Sequence, residues 1–439
     1  MKDDISIGLI GFGTVGCGVL KLLQEKKDLL EKRVGSRLVL RKVADLDITT
    51  PRIVTPDPQC LTTDALAVIA DPNIDIVVEL MGGYEPAHSF LLKAIAAKKH
   101  VVTANKALIA SCGNEIFEAA QAAGTMVAFE AAVAGGIPII KAVREGLAAN
   151  RIEWIAGIIN GTTNFILTEM RDRGMSFPAA LAEAQRLGYA EADPTFDIEG
   201  VDAAHKITIL AAIAFGIPMR FDRAHVEGIA AIDPVDVAYA DEMGYRIKLL
   251  GMTRRLAAGV ELRVHPALVP TRRLLASVDG AMNAVLVHGD AVGDTLYYGK
   301  GAGAEATASA VIADLVDVTR MHTADPEHRV PHLAFQPDRI SDLPILPMAE
   351  VETDYYLRLK IADRPGTLAD ITRILAERDI SIDALIQKEP PEGADHADVI
   401  LLTHRTRERE IDAAMAAFKS LPSVSGRIVR IRVEHLGRS

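Results

Sequence analysis

Over the first 140 residues short β-branched runs alternate with amphipathic stretches: ISIGLI, then VLKLLQEKKDLLEK, LVLRKVAD, IDIVVEL, HVVTA and MVAFEAAV. Strand-length runs separated by helical spacing predict βαβ units on a parallel sheet. After about residue 150 the character changes. RIEWIAGII predicts a strand, and SFPAALAEAQRLG predicts a helix with Ser176 as N-cap, Pro178 in the first turn and Gly188 as C-cap. A glycine cluster in YYGKGAGAEATASAVIADLVD opens another helix. Residues 323–350, rich in proline, histidine and aspartate, read as a linker. Beyond it YYLRLKIA, TLADITRILAERD, ISIDALIQ, DVILLTH, a helix near 408–420 and GRIVRIRVE give an α+β pattern of about 85 residues, enough for a small domain.

At 439 residues the chain exceeds one core, so two or three domains are expected. Aromatics are only 5% against 49% hydrophobic residues, which predicts aliphatic packing of helices on sheets. The net charge of −11 disfavours nucleic acid and anionic membrane surfaces as partners. The strand ISIGLI starts at residue 5, leaving no room for a signal peptide, and the longest apolar run, ITILAAIAF at 207–215, is half of what spans a bilayer. Three cysteines at wide spacing, Cys17, Cys60 and Cys112, fit neither a disulfide framework nor a metal site. A cytoplasmic protein is expected.

Gly11-Phe12-Gly13-Thr14-Val15-Gly16 directly follows the first strand and opens a helix. In such a loop the first glycine allows the tight turn, the second lets the backbone approach a pyrophosphate, and the third lets helix and strand pack. The helix N-terminus supplies free N–H groups to the anion. An acid at the end of the second strand, Asp45 or Asp47, would accept hydrogen bonds from a ribose 2′-hydroxyl and repel a 2′-phosphate. Asp45 lies 29 residues beyond Gly16, longer than usual, which predicts a lengthened first helix and a turn at 34–36.

The stretch GYAEADPTFDIEGVDAAHK at 188–206 gathers Glu191, Asp193, Asp197, Glu199 and Asp202 ahead of Lys206. Asp202 and Lys206 stand i and i+4 on a predicted helix, and spacing alone gives a surface ion pair worth ~0.3–0.5 kcal/mol. The aliphatic continuation KITILAAIAF argues instead for burial, where a lysine needs a carboxylate partner and its pKa can shift toward neutrality. Asp193-Pro194 reads as turn chemistry and Glu199 as solvated.

Six stretches in order resemble homoserine dehydrogenase: GLIGFGTVGCGV at 8–19, VTANKALI at 102–109, FEAAVAGGIPII at 129–140, GIINGTTNFILTEM at 157–170, the acidic stretch at 188–206, and GKGAGAEATASAVIADL at 299–315. The resemblance implies an α/β protein with a Rossmann-type domain over 1–137, completed by about 299–322, a mixed α/β catalytic and dimerisation domain over 138–298, and an ACT regulatory domain over 351–439. It implies interconversion of L-homoserine and L-aspartate 4-semialdehyde with NAD or NADP, in the synthesis of threonine, methionine and isoleucine, by a homodimer or tetramer. It makes Lys206 the proton donor with Asp202 as its partner, Lys106 a second active-site lysine reaching substrate or cofactor, and Glu191 and Asp197 substrate ligands. It adds Gly301 and Gly303 to the cofactor site, and a sodium or potassium loop at Glu130, Val133, Gly135 and Ile137, where a plain glycine hinge is the competing reading. The family often has an acid just before Asp197, where this chain has Phe196.

NADP-preferring members often show A-V-R-D where this chain has Ala44-Asp45-Leu46-Asp47, so the reading favours NAD unless Arg52 folds back to supply a charge. In LKIADRPGTLADITRILAERDISIDALIQ at 359–387 the turn at Pro365 and Gly366 leaves helix N–H groups free for an amino-acid carboxylate, and Asp363 can take its ammonium group. L-threonine is the effector that the resemblance implies, against a plain dimerisation role. Two rivals remain: a semialdehyde dehydrogenase acting through a cysteine thioester, and an amino-acid-responsive regulator with a non-catalytic body.

Overall fold

The protein is described here from a computed structural model over residues 3–389 and 395–437. The first sheet contains β1 (Asp4–Ile10), β2 (Arg37–Ala44), β3 (Leu61–Thr62), β4 (Ile76–Glu79), β5 (His100–Thr103) and β6 (Val127–Ala128), in the order β3-β2-β1-β4-β5-β6, all parallel. β4 and nearly all of β1 are buried, as strands covered by helices on both faces must be. The strand order reverses at β1 and β4, the place where open α/β sheets bind ligands at their carboxyl ends.

The expected first helix is two: Thr14–Glu25 and Lys27–Val34, the second ending on Gly35 at φ 77°. That second helix accounts for the extra length before Asp45. The helix Ala304–Met321 returns to this half of the molecule and shares its apolar core with β1 and β4. A Cβ on Gly18 would lie 2.6 Å from the Ala304 carbonyl, so a glycine there lets the two helices touch.

The second sheet is larger than the sequence pattern announces. It contains β7 (Ile152–Ile158), β8 (His225–Val226), β9 (Tyr245–Leu256), β10 (Gly259–Pro270), β11 (Met282–Gly289), β12 (Gly293–Lys300), β13 (Glu352–Ala362), β14 (Ile382–Gln387), β15 (His396–Thr403), β16 (Thr406–Arg407) and β17 (Val424–Val433). Its order is β12-β11-β7-β9-β10-β17-β13-β15-β14, with β8 beside β10 and β16 beside β13. The helix Val201–Phe215 packs against it and is buried along almost its whole length, which fits its apolar character all round.

The C-terminal module therefore joins the second sheet. β17 pairs in parallel with β10 at Ala267–Arg432 and Leu268–Val433. Buried charges cross the same seam: Asp236 accepts from Tyr356 Oη at 2.8 Å and from Arg358 Nε and Nη2 at 2.6 and 2.9 Å. Arg263, almost wholly buried, pairs with Glu261 at 3.0 Å and with Glu434 beyond β17. The stretch read as a linker lies on the body, where the Leu346 N–H donates to the Val260 carbonyl at 2.8 Å. Among the described residues no helix is long and apolar enough to cross a membrane.

Candidate active site

Asp202 lies in the first turn of Val201–Phe215, and one helical turn later Lys206 faces it. Asp202 is 3% and Lys206 9% exposed, so this is the buried pair and not the surface one. Lys206 Nζ donates to Asp202 Oδ2 and to the Ile159 carbonyl, both at 2.7 Å. An ammonium has three donors, and the third is left for a ligand. The other oxygen, Asp202 Oδ1, lies 3.2 Å from Lys106 Nζ. One carboxylate thus holds both lysines. Burial opposes ionisation of Asp202, but the two ammonium groups overcome it and keep its carboxyl well below the usual range. Asp202 in turn raises the Lys106 pKa, so Lys106 stays charged.

Sequence reasoning missed Asn160. It caps the helix Gly161–Arg173, accepting from the Thr163 N–H at 2.8 Å through Oδ1, which turns its amide nitrogen toward the acids. Nδ2 donates to Asp197 Oδ1 at 2.7 Å and to Asp202 Oδ2 at 2.9 Å. Thr162 Oγ1 meets Asp197 Oδ2 at 3.1 Å. Burial and the neighbouring Asp202 raise the Asp197 carboxyl, and these hydrogen bonds offset part of the rise. The signal was available in the run N-G-T-T, which has an asparagine directly before a helix. Glu191 is exposed nearby and adds to the field on Lys106. Asp193 accepts from the Thr195 N–H at 3.1 Å, the turn role expected of it, and Glu199 is exposed.

Phe196, in the place of the family's frequent acid, puts its ring 5.9 Å from Lys106 Nζ and packs at a tilt against His205, with ring centroids 5.3 Å apart. His205 is fully buried, and Phe221 packs on it at 4.2 Å. Burial lowers its pKa to about 4, so the imidazole is neutral.

Lys106 opens the helix Lys106–Ala123 directly after β5, capped by Asn105. Asn105 Nδ2 also donates to the Gly83 carbonyl at 2.7 Å. Glu79, fully buried at the end of β4, accepts from Thr103 Oγ1 at 2.6 Å and from the Met81 N–H at 2.7 Å. These polar groups hold the 81–83 loop beside Lys106 on the carboxyl edge of the first sheet.

The glycine loop opens on the same edge. Gly11 has φ 95°, and a Cβ there would lie 2.7 Å from the Leu80 backbone. A Cβ on Gly16 would lie 2.5 Å from the Gly11 carbonyl, whereas Gly13 has nothing within 4 Å. Gly13 heads Thr14–Glu25 with no side-chain cap, so the Thr14, Val15 and Gly16 end has the free N–H groups and open space that a pyrophosphate needs. Asp45 Oδ2 accepts from the Phe12 N–H at 2.5 Å, and Arg52 has folded back: Nη2 lies 3.3 Å from Asp45 Oδ1, Nη1 donates to the Phe12 carbonyl, and the guanidinium sits 5.3 Å over the Phe12 ring.

Gly301 and Gly303 lead into Ala304–Met321, and the 299–303 loop is tied to the predicted cation loop by the Gly136 N–H donating to the Lys300 carbonyl at 3.0 Å. In that loop the Glu130 carboxylate accepts from the N–H groups of Ile140 and Lys141 at 2.9 and 2.8 Å. The Ile137 carbonyl accepts from Ile139, leaving the Val133 and Gly135 carbonyls as the less committed oxygens. Asp363 accepts weakly from Gln387 at 3.3 Å, and Gly366, at φ 95°, heads the uncapped helix Thr367–Ala376. Burial raises the pKa of all three cysteine thiols, the wrong direction for a thioester nucleophile.

Three family models match the chain: the homoserine dehydrogenase NAD-binding domain at residues 11–130, homoserine dehydrogenase at 138–316, and the ACT domain at 355–423. A homoserine dehydrogenase of Pseudomonas aeruginosa is 57% identical over 438 residues, covering 98% of this chain and 99% of its own. This chain belongs to the homoserine dehydrogenase family. The crystal structure of a homoserine dehydrogenase from Thiobacillus denitrificans matches with a TM-score of 0.93 and 62% identity over 99% of each chain. A hyperthermophilic archaeal homoserine dehydrogenase in complex with NADPH matches with a TM-score of 0.59 and 26% identity, over 72% of this chain and 98% of its own. The family assigns an oxidoreductase with a dinucleotide-binding domain, which leaves the regulator with a non-catalytic body without support.

Proposed function

We propose that the chain interconverts L-homoserine and L-aspartate 4-semialdehyde, and that Asp202 with its two lysines is where the substrate oxygen is handled. The observation that carries this is the single buried carboxylate gripping Lys206 and Lys106, 2.7 and 3.2 Å away, on the ligand-binding edge of the first sheet. A bound nicotinamide supplies or takes up the hydride at the substrate's terminal carbon. In the reducing direction Lys206 gives a proton to the oxygen of the aldehyde through its uncommitted N–H, and Asp202 steadies the ammonium before transfer. Lys106, kept charged by Asp202, polarises that oxygen or contacts the cofactor. Asp197 and Glu191 face the ammonium end of homoserine, with Asn160 and Thr162 setting the Asp197 orientation.

Gly11 to Gly16, with Gly301 and Gly303, border the cofactor. Asp45 favours a free ribose, but the folded-back Arg52 neutralises it and stands ready for a 2′-phosphate, so we read the site as accepting NADP as well as NAD. A sodium or potassium ion on the Val133 and Gly135 carbonyls, with Glu130 and Ile137 shaping the turn, would tie the 130–137 turn to the loop at 299–303. Threonine would bind at Asp363 and Gly366 of the ACT module in a homo-oligomer, and would inhibit only through unequal affinity for two states. Steady-state turnover of homoserine with NAD and with NADP tests the reading. No turnover with either would refute it.

A further inference from the structure

The acids of the site are reached from the C-terminal module in a few short steps. On β17, Arg432 is 1% exposed, and its guanidinium is shared between Glu408 of the module, Nε to Oε2 at 2.9 Å, and Glu227 of the catalytic domain. The fork on Glu227 is bidentate: Nη1 to Oε2 and Nη2 to Oε1, both at 2.8 Å. His225 Nε2 lies 2.8 Å from the same Oε1, and Arg430 Nη2 donates to it at 3.4 Å. A bidentate arginine pair fixes the orientation of a carboxylate as well as its position. The backbone of Glu227 is also held, its N–H donating to the Val264 carbonyl at 2.8 Å.

The next residue, Gly228, packs directly on the end of the short helix Thr195–Ile198. A Cβ on Gly228 would stand 2.3 Å from the Ile198 carbonyl oxygen and 2.6 Å from the Glu199 Cα, so only glycine fits there. The Ile229 N–H then donates to the Ile198 carbonyl at 2.9 Å. Ile198 closes the one-turn helix Thr195–Ile198 that carries Asp197.

We propose that Glu227 is a positioning residue: gripped by Arg432, it sets through Gly228 and Ile229 where Asp197 stands relative to Asn160 and Asp202. The inference rests on the reading of Asp197 as a substrate ligand. Glu227 touches neither lysine and acts through the turn. A residue that merely glued two modules together would change how much enzyme folds, whereas a positioning residue changes how well folded enzyme holds substrate.

The test uses the full-length chain with Glu227→Ala, Glu227→Gln and Gly228→Ala, alongside Asp197→Asn and the double variant Glu227→Ala/Asp197→Asn. The KM for homoserine should rise about ten- to a hundredfold in Glu227→Ala and Gly228→Ala, with a smaller fall in kcat and an unchanged cofactor KM. Glu227→Gln, keeping one acceptor, should fall between them and the parent. The double variant should be no worse than Asp197→Asn alone, because both changes act through one group. A homoserine KM unchanged in Glu227→Ala and Gly228→Ala, or a defect that multiplies with that of Asp197→Asn, overturns the proposal. If thermal melting shows that Glu227→Ala does not fold, Gly228→Ala and Glu227→Gln decide by the same criterion. A parent chain that fails to turn over homoserine sinks the substrate reading and this inference with it; an active parent with unaffected variants sinks the inference alone.

Discussion

Lys206 is placed by two contacts that were differently visible. The i,i+4 spacing to Asp202 could be read from the sequence, while the Ile159 carbonyl just past β7, and Lys106 on the other oxygen of Asp202, come from distant parts of the chain. Lys206→Ala should lower kcat by ~10²–10⁴ with the cofactor KM nearly intact, since it removes only the proton donor. Near-normal turnover would show that another group carries the proton. Asp45 was legible, with Asp47, as a candidate acid after β2, and Arg52 as a cation able to fold back, but which acid and whether the fold-back occurs were not, because six residues of irregular loop lie between Asp45 and Arg52. Arg52→Ala should therefore cut kcat/KM with NADP by about tenfold while leaving NAD nearly unchanged, because a 2′-phosphate needs that charge and faces an unneutralised Asp45 without it, whereas a free ribose hydroxyl does not. Equal losses with both cofactors would mean that Arg52 acts on the glycine loop through the Phe12 carbonyl.

At the level of elements, the parallel sheet was readable because its strands are continuous apolar runs, whereas β9 and β10 were not. YRIKLLGMTRRL and GVELRVHPALVP carry Lys248, Glu261, Arg263 and His265 at buried positions, so they lack the clean alternation by which a strand is recognised. The charges there find partners only in the folded state, such as Glu434 for Arg263 and Val278 and Asp279 for Lys248. The 130–137 turn is also a unit whose behaviour exceeds its residues. Burial pushes the Glu130 carboxyl up to about 7 although two backbone N–H groups favour its ionised form. If the turn holds the proposed cation, the carboxyl offers it a negative charge above that pH, whereas a proton competes below it. The potassium or sodium concentration giving half-maximal activity should thus be roughly tenfold higher near pH 6 than near pH 8. Activity titrations at constant ionic strength check this, and a pH-independent requirement would assign the binding to carbonyls alone.

For the whole molecule, the composition and length predicted a separable C-terminal domain behind a linker, and the match of an ACT family model at 355–423 agrees with its kind. Its attachment was invisible, because the pairing of β17 with β10 joins residues more than 160 positions apart. A chain ending near residue 350 would strand Asp236 without Tyr356 and Arg358, strand Arg263 without Glu434, and open the edge of β10. Removing one partner of a buried pair costs ~3–5 kcal/mol. The shortened chain should therefore melt at least several degrees lower or aggregate, as scanning calorimetry and light scattering would register. Unchanged melting would mean that the module contributes nothing to the body. The same pairing imposes a timetable on biosynthesis. Val424 lies 154 positions beyond Pro270 (424 − 270), so at roughly 5–20 residues per second β10 waits some 8–30 s for its neighbour. During that interval a nascent polypeptide leaves the β10 edge unpaired at Ala267 and Leu268, and its Arg263 has only Glu261 of its two carboxylate partners, Glu434 being still untranslated. Newly made chains should accordingly depend on chaperone cover until synthesis is nearly finished.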